Sequence, residues 1–426
     1  MAESGEIRLR SHKVSFIGNE VDSNINNTLI LFHLPCEHTT MTDAPVDIVQ
    51  YLSTVLSILP TPISIVRLTG GEINYVYRVS FDQPIEEFAG ACSVVIKISS
   101  GTLASLPEMI EARAMAFLAP TSTGISLPLS LPNPYPHVMT PSLYHYSPQN
   151  NIIIMQDMGS HPDLQQFLLD RMTTNQDACA LGELLGSYLS YFHTFTKDNI
   201  TMLTPYFINN AARTLLQDVF YSAVTPIISL TTLPASQIAQ LAEKARLLGI
   251  QGTLDQTSST KVVKMGDLWP GAILIPRSRK ELIILDWEFC DIGNPAIEVG
   301  HFITFLYLLA NFPPLEKGTI EGMTNASIFM KRFLQKYTEN FVPKNANSFW
   351  EDMQTMIGVD ILIEAGKGRW CSIESCSCEG GCLHVEEEGA NKRKICVKKI
   401  VDVGIKLLEG KKEVLEKILC MELNVN

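Results

Sequence analysis

Met265-Gly266-Asp267-Leu268-Trp269-Pro270-Gly271-Ala272 leads into the apolar triplet Ile273-Leu274-Ile275, and a second apolar run, Leu282-Ile283-Ile284-Leu285, leads into Asp286-Trp287-Glu288. The polar residues 276–281 between the two runs have the character of a turn, so the natural reading is a β-hairpin. Such a hairpin brings Asp267 and the Asp286/Glu288 pair to the same end of two paired strands. Three carboxylates at one place repel each other unless a cation or a proton intervenes. Oxygen donors in this number suit Mg²⁺, which takes one or two carboxylates together with substrate phosphates. The pattern outlines a phosphoryl-transfer site.

Upstream, the order of elements adds to this outline. Ile63 to Leu68 predicts a strand, Gly70-Gly71 a turn, Tyr75 to Phe81 a returning strand, and Ser93 to Ile98 a third strand with Lys97 near its end. Taken alone, Gly70-Gly71 is an ordinary turn, because glycine reaches positive φ without penalty. A helix follows over 107–118, where Ile110, Ala114, Phe117 and Leu118 form an apolar stripe with Glu111 beside it. A strand lysine and a glutamate on the next helix can pair and aim an ammonium at phosphate oxygens. Lys97 as a surface lysine and Glu111 as a solvated position are the plain alternatives, and Glu108 is a rival partner. Asn151 to Met155 predicts a strongly apolar strand running into Gln156-Asp157-Met158-Gly159, which suits a hinge whose backbone could meet an adenine edge. Beyond it, Leu181, Leu184, Leu185, Tyr188, Leu189 and Phe192 recur at helical spacing and predict one long buried face, with His193 as a satisfied core histidine.

The overall composition fits an intracellular enzyme. The chain has 426 residues, 46% of them hydrophobic and 18% charged, enough to bury a large core in a globular fold. A net charge of −12 argues against nucleic acid as a partner. No stretch is long and apolar enough to span a bilayer, and His301 to Phe312 reads as a buried helix. Glu3, Glu6, Arg8 and Arg10 stand where a signal peptide would be apolar, and the ten cysteines are mostly isolated, so the cytoplasm is the expected location. Residues 1–44 read as a poorly defined extension, and the helix-like stretch Val46 to Leu59 as the start of the folded part. Residues 45–158 are expected to form an N-lobe with nucleotide-binding strands and hinge, and 159–426 a helical C-lobe with the catalytic loop and acceptor site.

Five segments in order carry a resemblance: Gly70-Gly71-Glu72-Ile73-Asn74, Val94-Val95-Ile96-Lys97, Ile153-Ile154-Met155-Gln156-Asp157, Gly266-Asp267-Leu268-Trp269-Pro270-Gly271 and Leu285-Asp286-Trp287-Glu288. Over roughly residues 60–310 the chain resembles the aminoglycoside phosphotransferase and methylthioribose kinase superfamily, and within it the fungal small-molecule kinases of the hydroxytryptamine kinase branch. The resemblance implies an α+β, protein-kinase-like fold with a small antiparallel-sheet N-lobe and a larger helical C-lobe. It implies ATP and Mg²⁺ as cofactors and a small hydroxylated metabolite as acceptor, with a place in specialised metabolism. Carried over by position, Gly70, Gly71 and Asn74 border the nucleotide, Lys97 contacts its phosphates with Glu111 as partner, and Gln156, Asp157 and Met158 line the adenine site. Asp267 is the implied base, Asp286 the implied metal ligand and Glu288 a second ligand. Trp269 walls the acceptor pocket or packs the catalytic loop.

The sequence departs from that pattern at Met265, where histidine is common, and at Ala272, where an asparagine usually ligates Mg²⁺. Glu288 could compensate for the lost donor. Two functions follow: an active small-molecule kinase, or a nucleotide-binding pseudokinase that acts as a regulator. Retention of Lys97, Asp267 and Asp286 together favours the first. Glu298, after Asn294-Pro295, is a candidate support for the site or a simple capping acid. Cys371, Cys376, Cys378, Cys382 and His384 form a cysteine-dense patch that could hold zinc or be loose thiols. Lys398 to Cys420 returns to a helical pattern, with Ile405, Leu408, Leu415, Ile418 and Leu419 facing inward.

Overall fold

The computed structural model describes residues 46–58, 62–68, 74–99, 108–119, 121–216, 223–229, 231–254, 260–312, 319–341, 346–367, 370 and 398–419, and four short strands at 12–15, 28–29, 383–385 and 393–395. Gly70, Gly71 and most of the cysteine patch lie outside the described residues. So do the side chains of Glu108 and His384.

Five antiparallel strands form the N-terminal sheet: β1 (Ser64–Leu68), β2 (Asn74–Ile85), β3 (Ala91–Ser99), then, after the short β4 (Val138–Met139), β5 (Leu143–Ser147) and β6 (Ile152–Gln156). Their order is β1-β2-β3-β6-β5. The pleat sorts β3 into two faces. Val94, Ile96 and Ile98 pack with Phe81, Phe88, Ile152 and Ile154 on one side. Val95 and Lys97 point the other way, where Ala112 and Met115 of α1 (Glu108–Leu118) cover the sheet with Ile153 and Met155. Alternation along one strand therefore turns Lys97 toward the helix that carries Glu111.

The C-terminal part is mainly helical. Helix α2 (Asn175–Asp198) opens with a capping box in which Thr174 and Asp177 satisfy each other's backbone N–H groups. Leu181, Leu185, Tyr188, Leu189 and Phe192 are buried along it as the spacing predicts, and Leu184 is partly buried. Helix α3 (Pro295–Asn311) starts at the Asn294 cap with proline at its first position and is apolar nearly all round. It lies in the core beside α4 (Ile320–Asn340) and α5 (Ala346–Gly366). No helix among the described residues is long and apolar enough to cross a membrane. The architecture is α+β, a five-stranded antiparallel sheet followed by a larger, mainly helical part.

Some local expectations change. The helix expected from Val46 to Leu59 is a single turn, Ile48–Gln50, that widens over Tyr51–Val55, where the Leu56 N–H donates to the Tyr51 carbonyl five residues back. Strand β2 runs four residues past Phe81, to Ile85, through an irregular register. The helical pattern from Lys398 to Cys420 resolves into two helices, Lys398–Leu408 and Lys412–Leu419, parted at Gly410, which adopts φ +80°. None of these could be read from hydrophobic period alone, since period does not mark a change of helical pitch or a strand's end.

Helices α2 and α4 approach so closely that Gly186 has no room for a side chain. A Cβ there would lie 2.3 Å from the Phe333 carbonyl oxygen. Gly186→Leu must push the two helices apart, and overpacking of this kind costs about 1–3 kcal/mol. We expect a lower thermal midpoint in calorimetry with circular dichroism otherwise unchanged.

Candidate active site

Two strand pairs hold the central segments. β7 (Val262–Lys264) leads into Asp267, and β8 (Ile273–Leu274) pairs antiparallel with β9 (Leu282–Ile284), with Ile273 opposite Ile284. β9 leads into Asp286, and β10 (Asp291–Gly293) returns to pair with β7, Asp291 opposite Lys264. The predicted hairpin is present, and the segments bearing Asp267 and Asp286 to Glu288 are each fixed at both ends. Gly266 is required here by its backbone. It adopts φ +91°, and a Cβ would stand 2.0 Å from the Phe289 carbonyl oxygen. Asp286 adopts φ 59°, a left-handed conformation that Asp tolerates better than most residues.

Lys97 organises the charges. Its Nζ lies 2.9 Å from Glu111 Oε2, 2.6 Å from Glu288 Oε2 and 3.4 Å from Asp286 Oδ1. The Glu111 contact is one of charge more than of an aligned hydrogen bond, because that oxygen has no hydrogen-bond partner of good geometry. Burial opposes the ammonium, yet Glu111, Glu288 and Asp286 outweigh it and hold Lys97 well above its usual range. Burial also pushes Glu111 up to about 7, against the pull of Lys97, and raises Glu288 in the same way. Asn74 at the start of β2 donates from Nδ2 to Glu288 Oε2 at 2.6 Å, while its Oδ1 is buried without a partner. Asp286 has a side chain 53% exposed, open toward a ligand.

A cleft of roughly 640 Å³, counting its open mouth, runs from these charges under the sheet. Lys97, Glu111 and Asp286 stand at its polar end, and Leu68, Val76, Val95, Met155, Leu274 and Leu285 give it apolar walls. Gln156, Asp157 and Met158 line it as well. Asp157 has a further commitment that the sequence did not suggest. Its carboxylate accepts two hydrogen bonds from Arg78, at 2.7 and 2.9 Å, and one from Ser93. Although partly buried, it is held below its usual range by Arg78, the Gly159 N–H and Ser93.

Supports behind the site are equally specific. Glu298 Oε1 accepts from the Gly266 N–H at 2.9 Å, and Oε2 meets His193 Nε2 at 2.8 Å, with Tyr337 on the other ring nitrogen. His193 is thus the satisfied core histidine expected, and Glu298 does more than cap a helix. Asp291 accepts from Arg213 at 2.8 and 2.9 Å and from the Asn209 N–H at 3.0 Å, anchoring β10. Trp269 is half-buried against Phe305, with ring centroids 5.8 Å apart. Ala272 is fully buried and places no donor at the site.

Sequence reading missed His301 and Asp360. His301 Nε2 lies 3.1 Å from Asp267 Oδ1, and Nδ1 lies 2.7 Å from Asp360 Oδ2. Asp360 is far along the chain on α5, and no local pattern links it to the loop that bears Asp267. Metal fit follows from the donors. Among the described residues no three His, Cys, Asp or Glu side chains gather around one point as a closed metal site. Asp286 and Glu288 nevertheless converge on one cation, the Lys97 ammonium, as oxygen donors. They fit an ion that is completed by phosphate oxygens and water.

No family model matches the chain. It is 25% identical over 287 residues to a 4-hydroxytryptamine kinase of Psilocybe cyanescens, covering 64% of this chain and 75% of that protein. A 4-hydroxytryptamine kinase of Psilocybe cubensis is 23% identical over 294 residues, with the same coverage. Among solved structures, amicoumacin kinase in complex with AMP-PNP, Ca²⁺ and Ami overlaps 86% of this chain and 94% of its own at TM-score 0.45 and 14% identity. The curated relatives, taken with the two-lobed architecture, support the protein-kinase-like superfamily.

His301 gives a test by pH. Burial disfavours its charged ring, but Asp360 and Asp267 push it up to about 10. A folded value above the unfolded one of about 6.5 stabilises fully below pH 6.5 and is lost as pH rises toward 10. We therefore expect the stability gap between wild type and Asp360→Asn to be widest below pH 6.5. It should shrink toward pH 10, at up to about 1.4 kcal/mol per pH unit, in urea titrations.

Proposed function

We propose that this protein-kinase-like chain is an ATP-dependent phosphotransferase that moves the γ-phosphate to a hydroxyl of a small metabolite. The observation that carries the reading is the cleft with apolar walls and a polar end of Lys97, Glu111 and Asp286. Apolar walls of this kind suit a purine ring, and the charged end suits its phosphates. The relatives named for 4-hydroxytryptamine support a small, hydroxyl-bearing acceptor.

The chain's own residues divide the work. Lys97, held charged and in place by Glu111, binds phosphate oxygens. Asp286 and Glu288 would hold Mg²⁺, which when bound neutralises charge on the phosphates. Asp267, with a side chain 41% exposed, orients the acceptor hydroxyl and takes its proton. The acceptor oxygen forms a bond to the γ-phosphorus as the bond to the bridging oxygen breaks, and ADP leaves. Such transfer depends on positioning and charge more than on covalent help from the protein. Asn74, through Glu288, ties the start of β2 to the same charges.

Purified protein should hydrolyse or transfer from Mg-ATP, with hydroxyindole amines and amino alcohols as the acceptor panel. Asp267→Asn should lower kcat by about 10²–10⁴-fold, the usual contribution of a placed base, with nucleotide binding retained in thermal shift. Glu288→Gln should raise the Mg²⁺ concentration needed for half-maximal turnover. Nucleotide binding without turnover, unaltered by Asp267→Asn, would instead favour the pseudokinase, for which buried Ala272 is the motive.

A further inference from the structure

The loop bearing Asp267 has two anchors of different kinds. Its backbone is held by Glu298 at the Gly266 N–H. The Asp267 side chain is held separately, by His301 one helical turn beyond Glu298 on α3. The ring of His301 stands edge-on to Phe305 at 5.1 Å between centroids, which fixes its plane. Its second nitrogen is bound by Asp360, a carboxylate only 10% exposed on α5. Ionised carboxylates accept and cannot donate, so between two of them the ring donates from both nitrogens. Asp267 from the catalytic loop and Asp360 from α5 are the charged groups that face it among the described residues.

The arrangement does something that the backbone anchor cannot. A carboxylate free to turn about its last bond presents its oxygens in every direction. Here Oδ1 is occupied, which directs Oδ2 away from the histidine. We propose that His301, braced by Asp360, is a positioning residue for Asp267, fixing the carboxylate so that its second oxygen faces the acceptor hydroxyl. The proposal rests on Asp267 being the base. Misplacing a reacting group by about 1 Å can cost 10²-fold in rate, so a second anchor has an effect to exert.

Two measurements test this. Nitrogen-15 NMR of the unaltered protein, labelled in histidine, should show protons on both ring nitrogens of His301 at pH 8. A neutral ring with one bare nitrogen overturns the proposal. In Mg-ATP turnover, His301→Gln should lower kcat at least tenfold while the affinity for a fluorescent ATP analogue is unchanged. Asp360→Asn, which does not touch Asp267, should move kcat in the same direction by less. Wild-type kcat in both variants, with Asp267→Asn inactive, overturns the positioning role alone. Full activity of Asp267→Asn overturns both this role and the base on which it rests. If His301→Gln does not fold, the NMR result and Asp360→Asn still decide.

Discussion

Lys97 is the constraint around which the molecule is arranged. An ammonium with only 4% of its side chain exposed is tolerable only with close anions. The chain supplies three of them from two places, Glu111 on α1 and Asp286 and Glu288 after β9. Each placement fixes something larger. The pleat of β3 must turn Lys97 toward α1, α1 must lie across that face of the sheet, and the β8–β9 hairpin must approach from the other lobe. The carboxylates depend on the lysine in return, since Glu111 and Glu288 already lean toward the neutral form with it present.

Much of this was legible in the sequence, for identifiable reasons. The strand with Lys97, the helix with Glu111 and the 273–285 hairpin are short-range patterns, each declared by period and turn chemistry within about a dozen residues. Pairing Lys97 with Glu111 was one of two choices open to the sequence, and the structure brings Glu111 within 2.9 Å of the lysine. Alternatives that had to stay open are closed by burial: His193 and Glu298 form one bonded pair beneath the loop that bears Asp267.

What could not be read depends on long-range juxtaposition. Asp360 reaches His301 from 59 residues away, Arg213 reaches Asp291 from 78, and Arg78 reaches Asp157 from 79. Nothing in local composition distinguishes these residues from solvated charges. The widening of the first helical turn at Tyr51 and the break at Gly410 were hidden for a different reason. Apolar spacing reports which face is buried and says little about pitch or about where a helix stops.

The Arg78 contact has a mechanical consequence. From the middle of β2 its guanidinium crosses β3 to the corner after β6, bonding Asp157 twice and Ser160 once. Asp157 in turn accepts from Ser93 and from the Gly159 N–H. Residues 157–160 are thereby welded to the sheet as a bracket. If the two lobes rotate as ligands enter and leave, the sheet and this corner travel as one body. The strand that floors the cleft is thereby held in shape as far as Ser160.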